Sequence, residues 1–358
     1  MNILRIYTKL PPLKGGMEKH IFHLSREQIG QGHRVKVMFN DGEKITPADE
    51  KIGYFKLYKL RPQALGMILF YGLIGIKFLF DRQSYDVVHI HGDWSALLFA
   101  TMIKKLVSAK CVVFSIHGTI TQSFAHQNLL PKLLKQADLI FSTGYDTAQE
   151  ITKLTGREVH VQPSGISDVF FEPFDKNFDF QRFTVVTVAN LFAVKNIELV
   201  FEIAKRLKAC DFVIIGDGTE KKRLQDLLAK EKINNVTLAG FKTAAEVREY
   251  YQKSDCYLLT SFAEGTPTSA LEAMACGLPI VSSNAGGIGH IVKAYQNGFV
   301  LDDFDPNRYA DKIKSLKDDP KMRKDIFNNN SLLAREYKWK NVAEHITAMM
   351  RSKLDEAH

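Results

Sequence analysis

The sequence predicts an α/β protein with two parallel-sheet domains, on three observations. Short apolar runs alternate with helical patterns along the whole chain, as strands joined by crossover helices do. The 358 residues are enough for two separate cores. Several apolar runs end in polar turns carrying Gly, His or Lys, and open parallel sheets hold ligands at such carboxyl ends.

In chain order, strands are expected near 2–7, 33–39, 52–58, 86–91, 110–116, 138–142 and 158–161, then near 183–188, 211–215, 235–239, 255–259 and 279–282. The stretch Asp168 to Gln181 breaks the periodicity and suits a linker. Residues 306–334 read as helical, and Tyr337-Lys338-Trp339 opens a last helix running to about Lys353. The expected division is 1–168, 169–336 and a closing helical segment 337–358. No internal repeat or low-complexity tract is present.

Composition narrows the class further. The net charge is +8, unevenly placed: residues 1–170 hold 21 Lys+Arg against 14 Asp+Glu, and residues 171–358 hold 27 against 26. The basic first half has no basic run with interleaved aromatics and no nucleic-acid motif, so an anionic membrane surface is the favoured partner and nucleic acid is not expected. The four cysteines, Cys111, Cys210, Cys256 and Cys276, form no C-x-x-C pair and read as reduced, buried thiols of a cytoplasmic protein. Asn2 to Tyr7 reads as a first strand rather than a signal peptide.

Residues 64–80 (Ala64 to Phe80) are apolar nearly all round, at the lower limit of length for a membrane span. A single crossing would separate strands that belong to one sheet, so a span is rejected. Two readings stay open: a helix buried under the sheet, or an interfacial helix on lipid flanked by Lys51, Lys56, Lys59, Arg61 and Arg82.

The densest chemistry lies between Ser261 and Val281. A strand ending at Leu259 enters a polar turn, then a helix expected to open at Thr266-Pro267 and close at Gly277. Thr is a good N-cap, Pro suits the first helical position, and Gly suits the position past the last turn. The helix start favours an anion. Glu264 lies in the turn and Glu272 on the helix, ~9 Å along its axis. A ligand with an anionic middle and hydroxyl-bearing ends, such as a nucleotide-sugar, fits that frame.

This segment, with two glutamates eight apart, Gly265-Thr266-Pro267 between them and Leu271-Glu272-Ala273-Met274-Ala275-Cys276-Gly277-Leu278-Pro279 after, resembles the E-x7-E signature of glycosyltransferase family 4, retaining enzymes of the GT-B fold. The likeness runs along nearly the whole chain and points to the type that builds bacterial cell-surface polysaccharide and lipopolysaccharide. It implies two Rossmann-like domains with parallel sheets facing a central cleft, the acceptor on the first, the donor on the second, and a final helix returning to the first.

The resemblance assigns residues at matched positions. Glu272 would hold ribose hydroxyls, and Glu264 with the backbone of Gly265, Thr266, Pro267, Thr268 and Ser269 would hold the sugar. Lys14-Gly15-Gly16-Met17-Glu18 is similar to the family's first-domain glycine loop, whose backbone lies against the diphosphate. Val188-Ala189-Asn190 to Lys195 resembles the segment where Arg and Lys clamp the diphosphate; Lys195 matches, but Asn190 stands in the Arg position and brings no charge. The turn at Gly216 would lie near the nucleotide, and Gly240-Phe241 would face the base. His117, ending a strand, matches a histidine beside the transferred sugar; Glu18, His91 and Trp94 are acceptor-side candidates. His117, Lys195 and Glu264 are the residues expected to bear on catalysis. The segment Ala285-Gly286-Gly287-Ile288-Gly289-His290 departs from the family in having His290 where Glu is usual, and no role is carried onto it.

No cofactor is expected: the nucleotide-sugar is a substrate, no convincing metal-ligand spacing is present, and GT-B enzymes do not need a bound metal. The implied activity is transfer from a nucleoside diphosphate-sugar, a UDP-sugar before GDP-mannose, to a glycan or lipid-linked hydroxyl at the cytoplasmic face of the membrane. The rival readings are an epimerase or hydrolase acting on nucleotide-sugars, and a degenerate, non-catalytic relative that assists another transferase.

Overall fold

The computed structural model describes residues 1–356 apart from 13–15, 54–56, 58–59, 61–62, 82, 93, 118–127, 175, 177–181 and 294–295. The chain forms two compact units, Met1–Gly165 with Trp339–His358, and Ile166–Lys338.

The first unit holds a parallel sheet of β1 (Asn2–Ile6), β2 (Arg34–Phe39), β3 (Glu50–Lys51), β4 (Val87–His91), β5 (Cys111–Ile116), β6 (Leu139–Ser142) and β7 (His160–Val161). Their order is β3-β2-β1-β4-β5-β6-β7. Ile3 lies opposite Val35 on one side and Val87 on the other. Strands covered on both faces bury successive side chains, and all of β4 and β5 is buried. Leu4, Ile6, Val88, Ile90 and Phe114 meet Phe70, Tyr71, Ile74 and Phe78 of the helix Gln63–Phe80. Ile3, Val35, Val37 and Val87 meet Ile21 and Leu24 of the helix Gly16–Gly30, and Val342, Ile346 and Met350 of the helix Trp339–Asp355. Each such Leu, Ile or Val contributes ~1.5–3 kcal/mol by leaving water. The last helix therefore belongs to the first unit, because its apolar stripe completes that core.

The second unit holds β8 (Phe183–Val188), β9 (Cys210–Ile215), β10 (Val236–Gly240), β11 (Cys256–Leu259), β12 (Ile280–Ser283) and β13 (Gly298–Leu301). Their order is β10-β9-β8-β11-β12-β13, again parallel. In both sheets the first strand lies inside and the chain winds outward to one side, then to the other. The switch points fall between β1 and β4, and between β8 and β11. Carboxyl ends of strands at such a point diverge and leave a crevice.

Several expectations need correction. The strand expected over 52–58 is a two-residue edge strand, β3, and part of that range lies outside the described residues. Asp49 accepts backbone N–H bonds from Val37, Ile45 and Thr46, which fixes the chain just before the edge. Strand β13 was missed; it is four residues long and follows the turn at Gln296-Asn297. The segment read as a linker starts as a 3-10 turn, Asp168–Phe171, whose Phe170 is buried near the Tyr251 ring. The units divide at 165/166 and 338/339, where the Ile166 N–H donates to the Tyr337 carbonyl at 2.8 Å and Ile166 pairs with Lys338.

The helix Gln63–Phe80 fits neither of its two readings alone. One face is buried, while Ile68, Leu73, Ile76, Leu79 and Phe80 on the other are exposed. No helix among the described residues is long and apolar enough to cross a membrane. All four cysteines are buried and free; burial pushes the Cys111 thiol up to about 12, so it stays protonated.

Candidate active site

In the second unit the crevice between β8 and β11 is floored by close backbone approaches. Gly216, at the end of β9, has φ +145°, and a Cβ there would come 1.8 Å from the Ala189 carbonyl oxygen. Gly286, with φ +64°, faces the turn after β11: a Cβ would lie 2.1 Å from the Gly265 carbonyl oxygen and 2.7 Å from Glu264 Cβ. Only glycine fits either place, which explains why these turns are glycine-rich.

Side chains then converge. After β8 a 3-10 turn, Ala193–Lys195, lifts Lys195 towards the turn after β11. The Phe262 N–H donates to the Val194 carbonyl at 2.8 Å, and Thr260 Oγ1 donates to the Lys195 carbonyl at 3.0 Å, tying the two turns together. Lys195 Nζ lies 2.6 Å and 2.7 Å from the two Glu264 oxygens. Ser261 Oγ donates to the same carboxylate at 2.6 Å. The lysine and the glutamate, assigned to diphosphate and sugar by resemblance, bond each other in this state. Their side chains are 19 % and 10 % exposed, so the pair is screened from most water.

The helix beside them runs Thr268–Ala275, one residue later than expected, with Pro267 at the cap position and no side-chain cap bond. Thr266 is therefore not the N-cap: Pro267 is extended at φ −71°, ψ 95°, which delays helical geometry. The Ala270 N–H donates to the Pro267 carbonyl at 3.0 Å, and without a side-chain cap the N–H groups of Thr268 and Ser269 can serve an external acceptor. The Tyr251 hydroxyl donates to the Ser269 carbonyl at 3.0 Å, and Tyr257 Oη lies 2.7 Å from Ser269 Oγ, so the first turn is anchored from the helix Ala244–Lys253 and from β11. Burial drives both phenol pKa values upward, keeping these anchors neutral. Gly277 closes the helix at φ +76° as expected. Glu272 is half-buried on the helix; Asn190 and Phe241 are exposed at the ends of β8 and β10. Asp302 accepts from Asn284, and Asp305 caps the helix Pro306–Asp318, so that acidic stretch serves local structure.

In the first unit the switch point between β1 and β4 gathers histidines. His89 and His91 come from β4, His117 follows β5, and His20 comes from the helix after β1. His91 Nδ1 lies 3.2 Å from His117 Nε2, and the His20 and His117 rings meet edge-on at 4.7 Å. His20 Nδ1 is 2.8 Å from Ser164 Oγ, and Trp339 packs 5.3 Å from the His20 ring. Burial, with Arg5 and the neighbouring histidines adding to it, holds His20, His89 and His91 well below their ordinary range. Burial alone takes His117 down to about 4. All four are neutral at pH 7. The buried Arg5 guanidinium, lowered to about 9 mainly by burial, bonds Ser25 and Gln28 and approaches His89 Nδ1 at 3.4 Å.

Glu18 is buried in the first turn of the helix Gly16–Gly30, where Gly16 is exposed with open space around its Cα. Trp94 is half-buried against the core under the helix Gln63–Phe80. Gly15, with Lys14, lies outside the described residues. Sequence reasoning missed His20, Ser164, Ser261, Ser283, which donates to the Ser261 carbonyl at 2.7 Å, and the paired state of Lys195 and Glu264. For His20 a signal existed: it lies in the first turns of the helix after the glycine loop.

Residues 14–169 match Glycosyltransferase Family 4, and residues 168–332 match Glycosyl transferases group 1. The gpi3 subunit of phosphatidylinositol N-acetylglucosaminyltransferase from Schizosaccharomyces pombe is 25 % identical over 354 residues, covering 93 % of this chain and 76 % of that protein. Among solved structures, sucrose-phosphate synthase from Thermosynechococcus elongatus superposes with a TM-score of 0.81 at 16 % identity, covering 99 % of each chain. Anabaena HepE in complex with UDP gives 0.81 at 18 % identity, covering 98 % of this chain and all of that one.

Proposed function

We propose, for a chain whose two halves are a family 4 and a group 1 glycosyltransferase domain and which is thus a glycosyltransferase of GT-B type, that it moves a sugar with retention from a nucleoside diphosphate-sugar, a UDP-sugar first, to a hydroxyl of a lipid-linked or glycan acceptor in cell-surface polysaccharide synthesis. The observation that carries this reading is the Lys195–Glu264 pair over a glycine floor at the β8/β11 switch point. An ammonium held by one carboxylate is a site that a diphosphate, with more negative charge, can take over. Donor entry then exchanges partners: Lys195 turns to the diphosphate and Glu264 to the sugar hydroxyls. Glu272 takes the ribose, and the first-turn N–H groups of the helix Thr268–Ala275 add donors near the phosphates.

In the transfer step the bond from the anomeric carbon to the phosphate oxygen breaks, and the acceptor oxygen bonds the same face of that carbon. The acceptor proton passes to the departing phosphate oxygen. Lys195 stabilises the charge that grows on the diphosphate, and His117, neutral, borders the reacting centre. The reaction as proposed needs no cofactor. Asn190 supplies at most a neutral hydrogen bond, so Lys195 bears the larger electrostatic share.

The proposed location is the cytoplasmic face of a membrane. Support comes from the exposed apolar face of the helix Gln63–Phe80, from exposed Lys51 near it, and from the basic excess of the first half. The yeast relative's name, which pairs phosphatidylinositol with N-acetylglucosaminyl transfer, agrees with a lipid-borne substrate. The deciding experiment is thermal shift with UDP-glucose, UDP-galactose, UDP-N-acetylglucosamine and GDP-mannose. A ligand at 100 times its Kd adds ~2.7 kcal/mol to the native state. No shift with any of them would end this reading.

A further inference from the structure

We propose that His20, His91 and His117 form a binding site for one divalent transition-metal ion, Zn2+ foremost, and that its occupation shuts down transfer. The ligand nitrogens of the three residues all lie within 4.8 Å of one another. On one tetrahedral zinc with Zn–N bonds of 2.0–2.1 Å, neighbouring nitrogens stand about 3.4 Å apart. The 3.2 Å between His91 Nδ1 and His117 Nε2 is already at that spacing, and the third ring has to close by up to ~1.4 Å.

One further observation points to a ligand. His20 has its Nδ1 fixed at 2.8 Å from Ser164 Oγ, which leaves Nε2 for a metal and supplies the outer partner that metal-bound imidazoles commonly have.

The donor set also selects the ion. Three imidazoles suit Zn2+, Co2+, Ni2+ or Cu2+, whereas Mg2+ and Ca2+ want oxygen. Three protein nitrogens leave a fourth position for water or a substrate hydroxyl.

Occupation removes the His117 ring from its proposed place at the reacting centre. This inhibitory half rests on the proposed function; metal binding does not. The test titrates chelator-treated full-length protein with Co2+, read by visible absorption, and with Zn2+, read by calorimetry. One equivalent should bind more tightly than ~100 µM. His20→Ala should abolish binding, and Ser164→Ala should weaken it about 10–100-fold. His345→Ala, an exposed control, should bind like the parent chain. Circular dichroism establishes that each variant is folded; should His20→Ala fail to fold, Ser164→Ala decides. No binding by the parent chain, or unchanged binding in folded His20→Ala or Ser164→Ala, overturns the site. Zn2+ should inhibit transfer over the same concentration range in the parent chain and not in His20→Ala, and a chelator should restore activity. Binding without inhibition would overturn the regulatory half alone and leave the donor reading standing.

Discussion

Replacing Lys195 by Ala separates the two tasks that the structure gives this residue. Its ammonium bonds both Glu264 oxygens, at 2.6 Å and 2.7 Å. Truncation leaves that carboxylate with the Ser261 hydroxyl at 2.6 Å and without a cation. Breaking a fully buried pair costs ~3–5 kcal/mol. With side chains 19 % and 10 % exposed, water reaches both ends and reduces the loss to about 1–2 kcal/mol. Turnover should fall further, by roughly 10²-fold or more, as when one transition-state stabiliser of this kind is removed. The double variant Lys195→Ala/Glu264→Gln tells the effects apart. It should recover most of the lost stability, because no uncompensated carboxylate remains, and none of the lost turnover. Initial rates of nucleoside diphosphate release and thermal melting read the two quantities. Near-normal turnover in Lys195→Ala would refute the diphosphate role. Turnover restored in the double variant would mean that Lys195 acts only by neutralising Glu264.

Three other expectations follow from the same structure. Gly286→Ala puts a methyl group 2.1 Å from the Gly265 carbonyl at a left-handed φ, so melting should drop by several degrees and donor affinity at least tenfold, read by calorimetry. The histidine cluster predicts acid sensitivity. His117 is lowered to about 4 in the fold and titrates near 6.5 when unfolded, so its contribution is complete above 6.5 and lost as pH falls from there towards 4. Allowing for its partial exposure, that is on the order of 2 kcal/mol, with His20, His89 and His91 adding losses of the same sign; urea melts at pH 7 and pH 5 should show it. Ile76→Glu with Leu79→Glu should abolish flotation with anionic liposomes at low salt while leaving the melting temperature within a few degrees, since both side chains are exposed; unchanged flotation would remove the membrane proposal.

Much of the second unit was legible because its chemistry is local. The strand ending at Leu259, the glutamates eight apart, Lys195 and the closing Gly277 lie in short segments whose spacing fixes their geometry before any long-range contact forms. The helix start was misplaced by one residue, because the extended backbone of Pro267 outweighed the capping preference of Thr266. The two-residue strand β3 and the edge strand β13 carried too short a periodic signal to be placed.

Alternating apolar runs, a property of neighbouring residues, settled by themselves that two parallel sheets form and which turns carry the glycines, the glutamates and the lysine. Packing between distant segments settled the rest. It turned one face of a uniformly apolar helix outward, assigned the final helix to the first core, closed Lys195 onto Glu264, and drew His20, His91 and His117 together across 97 positions of sequence. No periodicity encodes such meetings, because they depend on the order in which strands take their places in the sheet.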